Sequence, residues 1–345
     1  MPLIDAFRAI AALFILLHHF VSYFPMSDTV WDEFPVTFEW FCDYGSMAVQ
    51  VFLVIGGFLA ARTLSAPNMS PLPLIWKRYV RLVVPYLAAI CLSILTVLVA
   101  GPWLIHWAIP ERPTGSQLMA HVFLLQNILG FDSLSAGVWY VAIDFQLFAA
   151  TAILLWIGRG RIIGPTLVLI VAVASLFCFN LNDEWDDLAV YFFGSYGLGA
   201  AAWWASNRER NPIWLVLIPV VAASAMAVEF RGRLVIALAI ALTLGISRRT
   251  GCLECGTCFK PLAFLGKISY SLFLVHFPIL LLTNVFYAML GLSSLVSAMV
   301  GLLLAFISSI GFAALFHHSI ESPAAHRRIT CLVSSLFVKF RPTAR

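Results

Sequence analysis

Apolar residues in this chain run in long unbroken blocks, parted by short polar stretches that carry most of the Gly, Pro and charged residues. Crossing a hydrocarbon core takes about 20 apolar residues of helix, with a range of about 17–25. Ten blocks answer to that description, at residues 7–24, 45–63, 82–101, 137–157, 162–180, 188–206, 213–229, 233–247, 265–290 and 295–317. The eighth is short, and is expected to lie tilted or partly buried in a bundle. Residues 117–130 form an eleventh apolar stretch of 14 residues. That is too short to span, so it reads as a re-entrant or interfacial segment.

Charge tests this count independently, because cytoplasmic loops of membrane proteins carry an excess of Lys and Arg. With a cytoplasmic N-terminus and ten spans, 18 of the 21 Lys and Arg fall inside, and only Arg112, Arg231 and Arg233 fall outside. An eleventh span at 117–130 would invert everything after it and destroy the pattern. Both ends are therefore expected in the cytoplasm. The outside loops are acidic, with Asp28, Asp32, Glu33, Glu39 and Asp43 in the first and NDEWDD at 182–187.

Composition agrees with this reading. Of 345 residues, 61% are hydrophobic and 11% charged, and the mean hydropathy is +0.94. Soluble domains carry about 25% charged residues. The expected class is an all-α polytopic helix bundle over residues 1–320, with a basic tail at 321–345 lying on the anionic cytoplasmic leaflet. The net charge of +4 is spread over many loops, so no nucleic-acid partner is expected. The first apolar run ends in HHFVSYF rather than small residues, and reads as a retained helix rather than a cleaved signal. Seven Cys do not suggest a disulfide framework. Cys252, Cys255 and Cys258 have part of a metal-site spacing, with Cys331 the one cysteine of the tail on the same side. No metal is expected there, and a plain reduced-thiol loop is the simpler reading.

Ionisable residues inside a membrane are costly, and so are functional candidates. Arg8 and His19 lie eleven residues apart in the first helix, within about 20° of one face and roughly 16 Å apart along the axis. Arg78 and Arg81 are neighbours on the next basic helix face, where forked donors suit phosphate. Asp144 lies inside the fourth run with no basic residue near it in sequence, so it needs a partner from another helix. Ser269, Tyr270 and His276 add polar groups to the ninth run, which Pro278 interrupts. His317, His318 and Glu321 sit near a cytoplasmic exit and could be interfacial caps. Each residue also has a plain reading, as a topology signal, an interfacial group or an interhelical hydrogen bond. A transporter with alternating access would use the same ingredients, although the chain has no internal repeat of the kind such proteins often carry.

Five segments in order carry a resemblance. LIDAFRAIAALFILLHHF resembles an opening Leu-Asp-Gly-Leu-Arg pattern with Arg-x10-His falling on Arg8 and His19. FLVIGGFLAARTL, WKRYVRLVVPY, VWYVAIDFQLF and GKISYSLFLVHFP resemble the four motifs that follow. Together they resemble the type-three family of membrane acyltransferases. Gly56 stands where that family has Ser, Tyr140 where it has Ser, and Asp144 where it has Glu. Some relatives carry an appended extracytoplasmic esterase-like domain. None follows here, which implies direct action on the acceptor or transfer through another protein.

The resemblance implies an enzyme using cytoplasmic acyl-CoA, most simply acetyl-CoA, to acylate a hydroxyl of a carbohydrate on the far side of the inner membrane. Membrane lipids, acyl-CoA and a glycan or other hydroxyl acceptor are then its partners. On that reading Arg8, Arg78 and Arg81 hold the anionic end of CoA. His19 acts as general base, which suits an unperturbed imidazole near 6.5, and Asp144 orients that imidazole or binds the acceptor. Ser269, Tyr270 and His276 are candidates for substrate contacts or oxyanion donors. Direct transfer and an acyl-histidine intermediate both fit.

Overall fold

Proline opens four of the helices, at the position where its missing N–H would have had no intrahelical acceptor. They are α1 (Pro2–Ser22), α3 (Pro35–Tyr44), α5 (Pro71–Ala100) and α12 (Lys260–Met289). Around them lie α2 (Met26–Trp31), α4 (Val49–Leu64), α6 (Gly115–Val122), α7 (Trp139–Ile157), α8 (Ile163–Phe177), α9 (Ala189–Ala205), α10 (Ile213–Val228), α11 (Gly232–Thr250) and α13 (Leu295–Phe316). The structure, a computed structural model, describes residues 1–23, 25–66, 70–104, 112–158, 162–254 and 259–325. Among them there is no strand.

Seven helical stretches are long and apolar enough to cross a bilayer by themselves: Pro2–Ser22, Pro35–Leu64, Pro71–Ala100, Trp139–Ile157, Ile163–Leu181, Lys260–Met289 and Leu295–Ala325. The chain is an all-α multi-pass membrane protein. The three remaining expected runs coincide with α9, α10 and α11. The first two have 17 and 16 residues, and α11 carries Arg233, Arg248 and Arg249. The stretch at 117–130 forms only the eight-residue α6 and the turns after it. The tail from residue 326 lies outside the described residues, as do Cys255 and Cys258.

Two helices begin well before their apolar runs. The run expected at 82–101 is the far part of α5, which starts at Pro71 and holds Arg78 and Arg81 within the helix. The run at 265–290 begins at Lys260. Hydropathy drops at a charge, but Arg and Lys are good helix formers and their long stems pack along apolar surface.

Lipid supplies no hydrophobic drive between helices, so close backbone packing and polar contacts hold such a bundle together. Glycine provides the closeness. A Cβ on Gly57 would lie 1.8 Å from the Tyr196 carbonyl oxygen, and one on Gly199 would lie 2.0 Å from that of Val54. These two positions lock α4 against α9, which is buried along most of its length. Gly266 does the same between α12 and α1, with a Cβ position 2.0 Å from the Asp5 carbonyl oxygen. Large apolar side chains instead cover the outside, including Leu95, Leu98 and Val99 on α5 and Leu303, Leu304 and Ile307 on α13.

Two of the three arginines assigned to the outside have a structural occupation. Arg231 is 6% exposed. Its guanidinium donates to the Leu176 and Ala225 carbonyls, at 3.0 and 3.2 Å, and to the Asn180 side chain at 2.7 Å. Those carbonyls belong to the last turns of α8 and α10, where backbone acceptors run short of helical partners; the Ala225 carbonyl also takes the Glu229 N–H at 3.2 Å. Arg233 donates to the Asn180 carbonyl and lies 4.7 Å over the Tyr191 ring. Charge at these positions holds helix ends and the loop at Asn180 together.

Replacing Gly57 or Gly266 with Val is expected to force the helices apart, costing about 1–3 kcal/mol or more. Thermal melting in detergent with size-exclusion chromatography checks this. Both variants should melt earlier or aggregate, whereas Gly115→Ala, whose Cβ position meets nothing within 4 Å, should not.

Candidate active site

A carboxylate on a membrane-spanning helix must find a cation or give up its charge. Asp144, in the second turn of α7, finds Arg78 on α5: Nη2 donates to both carboxylate oxygens, at 2.8 and 2.6 Å. The side chains are 25% and 11% exposed, so the pair is mostly desolvated. The Arg78 guanidinium also lies 4.5 Å from the Phe148 ring centre, and its Nε is buried with no partner. Gly56 gives the carboxylate room, since a Cβ there would lie 3.3 Å from Asp144 Oδ1 and 3.0 Å from the Tyr196 ring. Serine would be tight at that position, and the shorter Asp still reaches its arginine.

Arg8 sits in the same polar layer, within electrostatic reach of Asp5, Tyr140, Arg81 and Asp144. It makes no hydrogen bond or ion pair with any described residue. Arg81 is exposed at the same end. The layer therefore holds three guanidinium groups against Asp144, bonded to Arg78, and Asp5, paired with the N-terminal amine at 3.4 Å, and its surplus is positive.

The second layer lies near the other end of α1. The ring of His19 stacks on His276 of α12, with centres 4.9 Å apart, and on Tyr23 at 5.6 Å. His18 turns away and places Nδ1 3.0 Å from the Phe41 carbonyl. His276 Nδ1 lies 3.2 Å from the Leu272 carbonyl. A carbonyl only accepts, so that nitrogen carries the proton, and the buried Nε2 has no partner. His19 has no hydrogen bond to a described residue. Its Nε2 lies 3.7 Å from where a Cβ on Gly137 would sit, a position Phe273 already crowds at 3.0 Å, and the φ of +79° suits glycine.

The anticipated residues divide in position. His19 and His276 come together, as do Arg8, Arg78, Arg81 and Asp144. Asp144 is bonded to Arg78 and makes no contact with His19, so orienting that imidazole is not the job its position performs. Ser269 is buried and donates to the Gly266 carbonyl of its own helix at 3.0 Å. Tyr270 donates to the Leu82 carbonyl of α5 at 3.0 Å. Tyr270 thus ties α12 to α5, while the Ser269 hydroxyl is taken up within its own helix. Backbone carbonyls thus hold both hydroxyls that the sequence offered as substrate contacts or oxyanion donors.

Some participants were not singled out by the sequence reading. Tyr196 brings a buried hydroxyl without a partner to the Asp144 layer. Its signal was the small-residue flank GSYGLGA, which marks a close helix approach. Glu321, read as a cap, accepts hydrogen bonds from Ser271 and, at 2.9 Å, from His317 Nδ1. Among the described residues no group of His, Cys, Asp and Glu side chains could hold a metal ion.

Removing one member of a desolvated ion pair strands the other, at a cost of about 3–5 kcal/mol. Asp144→Ala is expected to lower the melting temperature more than the double variant Arg78→Met/Asp144→Leu. A double-mutant cycle in detergent measures the coupling.

Comparison with known proteins shows the family of the chain. A family model described as an acyltransferase domain matches residues 2–318. A curated protein named peptidoglycan O-acetyltransferase OatA, from Listeria monocytogenes serovar 1/2a, is 22% identical over 330 residues, covering 82% of this chain and 50% of its own length. The chain thus spans about half the length of that relative. No solved structure matches.

Proposed function

The chain belongs to the acyltransferase family, and from that premise we propose that it moves an acyl group from cytoplasmic acyl-CoA to a carbohydrate hydroxyl at the opposite face of the plasma membrane. The name of the Listeria relative favours acetyl as the group and a glycan as the acceptor. One observation carries the reading. A single helix bears a guanidinium with no bonded partner near one end and an imidazole with no hydrogen bond near the other, roughly 16 Å apart along the axis.

Arg8 and Arg81 hold the anionic end of CoA, and Arg78 adds its unpartnered Nε to them. Guanidinium groups match phosphate oxygens through forked donors. The pantetheine arm then reaches along α1 toward His19. His19 takes the proton of the acceptor hydroxyl as the oxygen attacks the thioester carbonyl. The carbon–sulfur bond breaks, and the CoA thiolate leaves and takes up a proton. The stack of His276 and Tyr23 on His19 holds the base in one orientation, which general base catalysis requires. Asp144 keeps Arg78 in place beneath the transferred group.

The test is acetyl-CoA turnover by the purified protein, followed as free CoA. Wild type is expected to release CoA slowly without acceptor, through attack by water. His19→Ala should lower release by about 100-fold or more, the usual contribution of a general base, with CoA binding retained. Arg8→Ala should weaken CoA binding instead. No CoA binding and no release in wild type, with or without a glycan mixture, would overturn the reading.

A further inference from the structure

At the end of the bundle where α7 and α9 begin, the chain forms a cavity of about 380 Å³. Small-ligand sites run to about 300–1,000 Å³. Its walls come from the turn after α6, the first turns of α7 and α9, and the loop ahead of α9. Asp132, Asp186 and Asp187 line it, together with Asn127, Trp139 and Phe192. The two aromatic rings have centres 5.5 Å apart and are inclined at 33°.

The chemistry of this lining is selective. Ionised carboxylates only accept hydrogen bonds, so their complement is a ligand rich in donors. Asn127 adds a buried side-chain oxygen that has no partner. Burial and the charges of Asp187 and Asp183 raise Asp186 above the ordinary carboxylate range, with Arg233 opposing. Donors brought by a ligand would favour the charged form. The carboxylates do not converge as metal ligands would: among the described residues no such group occurs. An aromatic wall beside acceptor-only groups fits a ring with one apolar face and a rim of hydroxyls.

Position adds a second argument. Trp139 lies two residues beyond Gly137, the residue that faces His19 Nε2. Between them the chain turns, and the next residue, Tyr140, packs on Phe273 with centres 5.7 Å apart. Cavity and imidazole thus flank the same turn of chain.

We propose that this cavity is the acceptor subsite, and that it takes a neutral or N-acetylated saccharide ring with its apolar face against Trp139 and its hydroxyls donating to Asp132, Asp186 and Asp187. A uronate or phosphorylated sugar would bring its anion against three carboxylates and be rejected. The assignment of the sugar as acceptor rests on the acyl-transfer reading above, whereas its binding does not.

Binding is therefore measured without any acyl donor, by calorimetry and ligand-observed NMR on the full chain in detergent. The ligands are maltotriose, cellotriose, mannotriose, chitotriose and trigalacturonate. At least one neutral or N-acetylated trisaccharide is expected to bind, and trigalacturonate is not. Asp186→Asn/Asp187→Asn should weaken that binding by about tenfold or more. Both residues are exposed, and an unchanged melting temperature will separate this loss from unfolding. The proposal is overturned if no neutral or N-acetylated trisaccharide binds, if the double variant binds as wild type does, or if trigalacturonate binds equally well. Saccharide binding by a protein that neither binds nor turns over acetyl-CoA would overturn the acyl-transfer reading and leave the subsite standing.

Discussion

The bond between Arg78 and Asp144 is the constraint around which the rest is arranged. Neither charge is affordable alone in a bilayer-spanning helix, so α5 and α7 must meet where these two side chains meet. The pair then imposes conditions on its neighbours. Position 56 has little room for a side chain beside the carboxylate, and Tyr196 fills the space next to it. That brings α4 and α9 together, and Gly57 and Gly199 let their backbones touch. Neutralising Asp144 with Arg78 also leaves Arg8 and Arg81 without a bonded acid, so positive charge persists at that end of the bundle.

The remaining polar groups are sorted by depth. Arg8, Arg78 and Arg81 gather at one level and His19 and His276 at another, with α1 contributing to both. This separation is what a reaction between an anionic carrier on one side and a hydroxyl on the other would demand. A soluble enzyme could place such groups on any loop. Here loops cannot enter the lipid-exposed interior, because unpaired backbone groups would be too costly there, so helices supply the polar side chains within the bundle.

The sequence motifs separate on inspection into residues with free polar atoms and residues that pack. Arg8, His19 and His276 present free or weakly held polar atoms. Gly266 and Ser269 belong to the same motif as His276, yet one seats α12 on α1 and the other bonds to its own helix. Tyr270 ties α12 to α5. Packing residues are as necessary to this arrangement as the polar ones, since a displaced helix would part the imidazole stack.

Sequence by itself determined the helical, multi-pass character of the chain, because runs of apolar residues of span length admit no other solvent and no other backbone. It also determined that Arg8 and His19 share a face, since both lie on one helix and the geometry is local. It announced that Asp144 needed a distant partner. Only the tertiary structure decided that the partner was Arg78 rather than His19, and that His276 stacks on His19. It likewise decided that a carbonyl of α5 takes the Tyr270 hydroxyl, and that Trp139 and Asp187 border one cavity. Those facts depend on which helix faces which, and that choice is made by close glycine contacts and the pairing of buried charge between segments far apart in the chain.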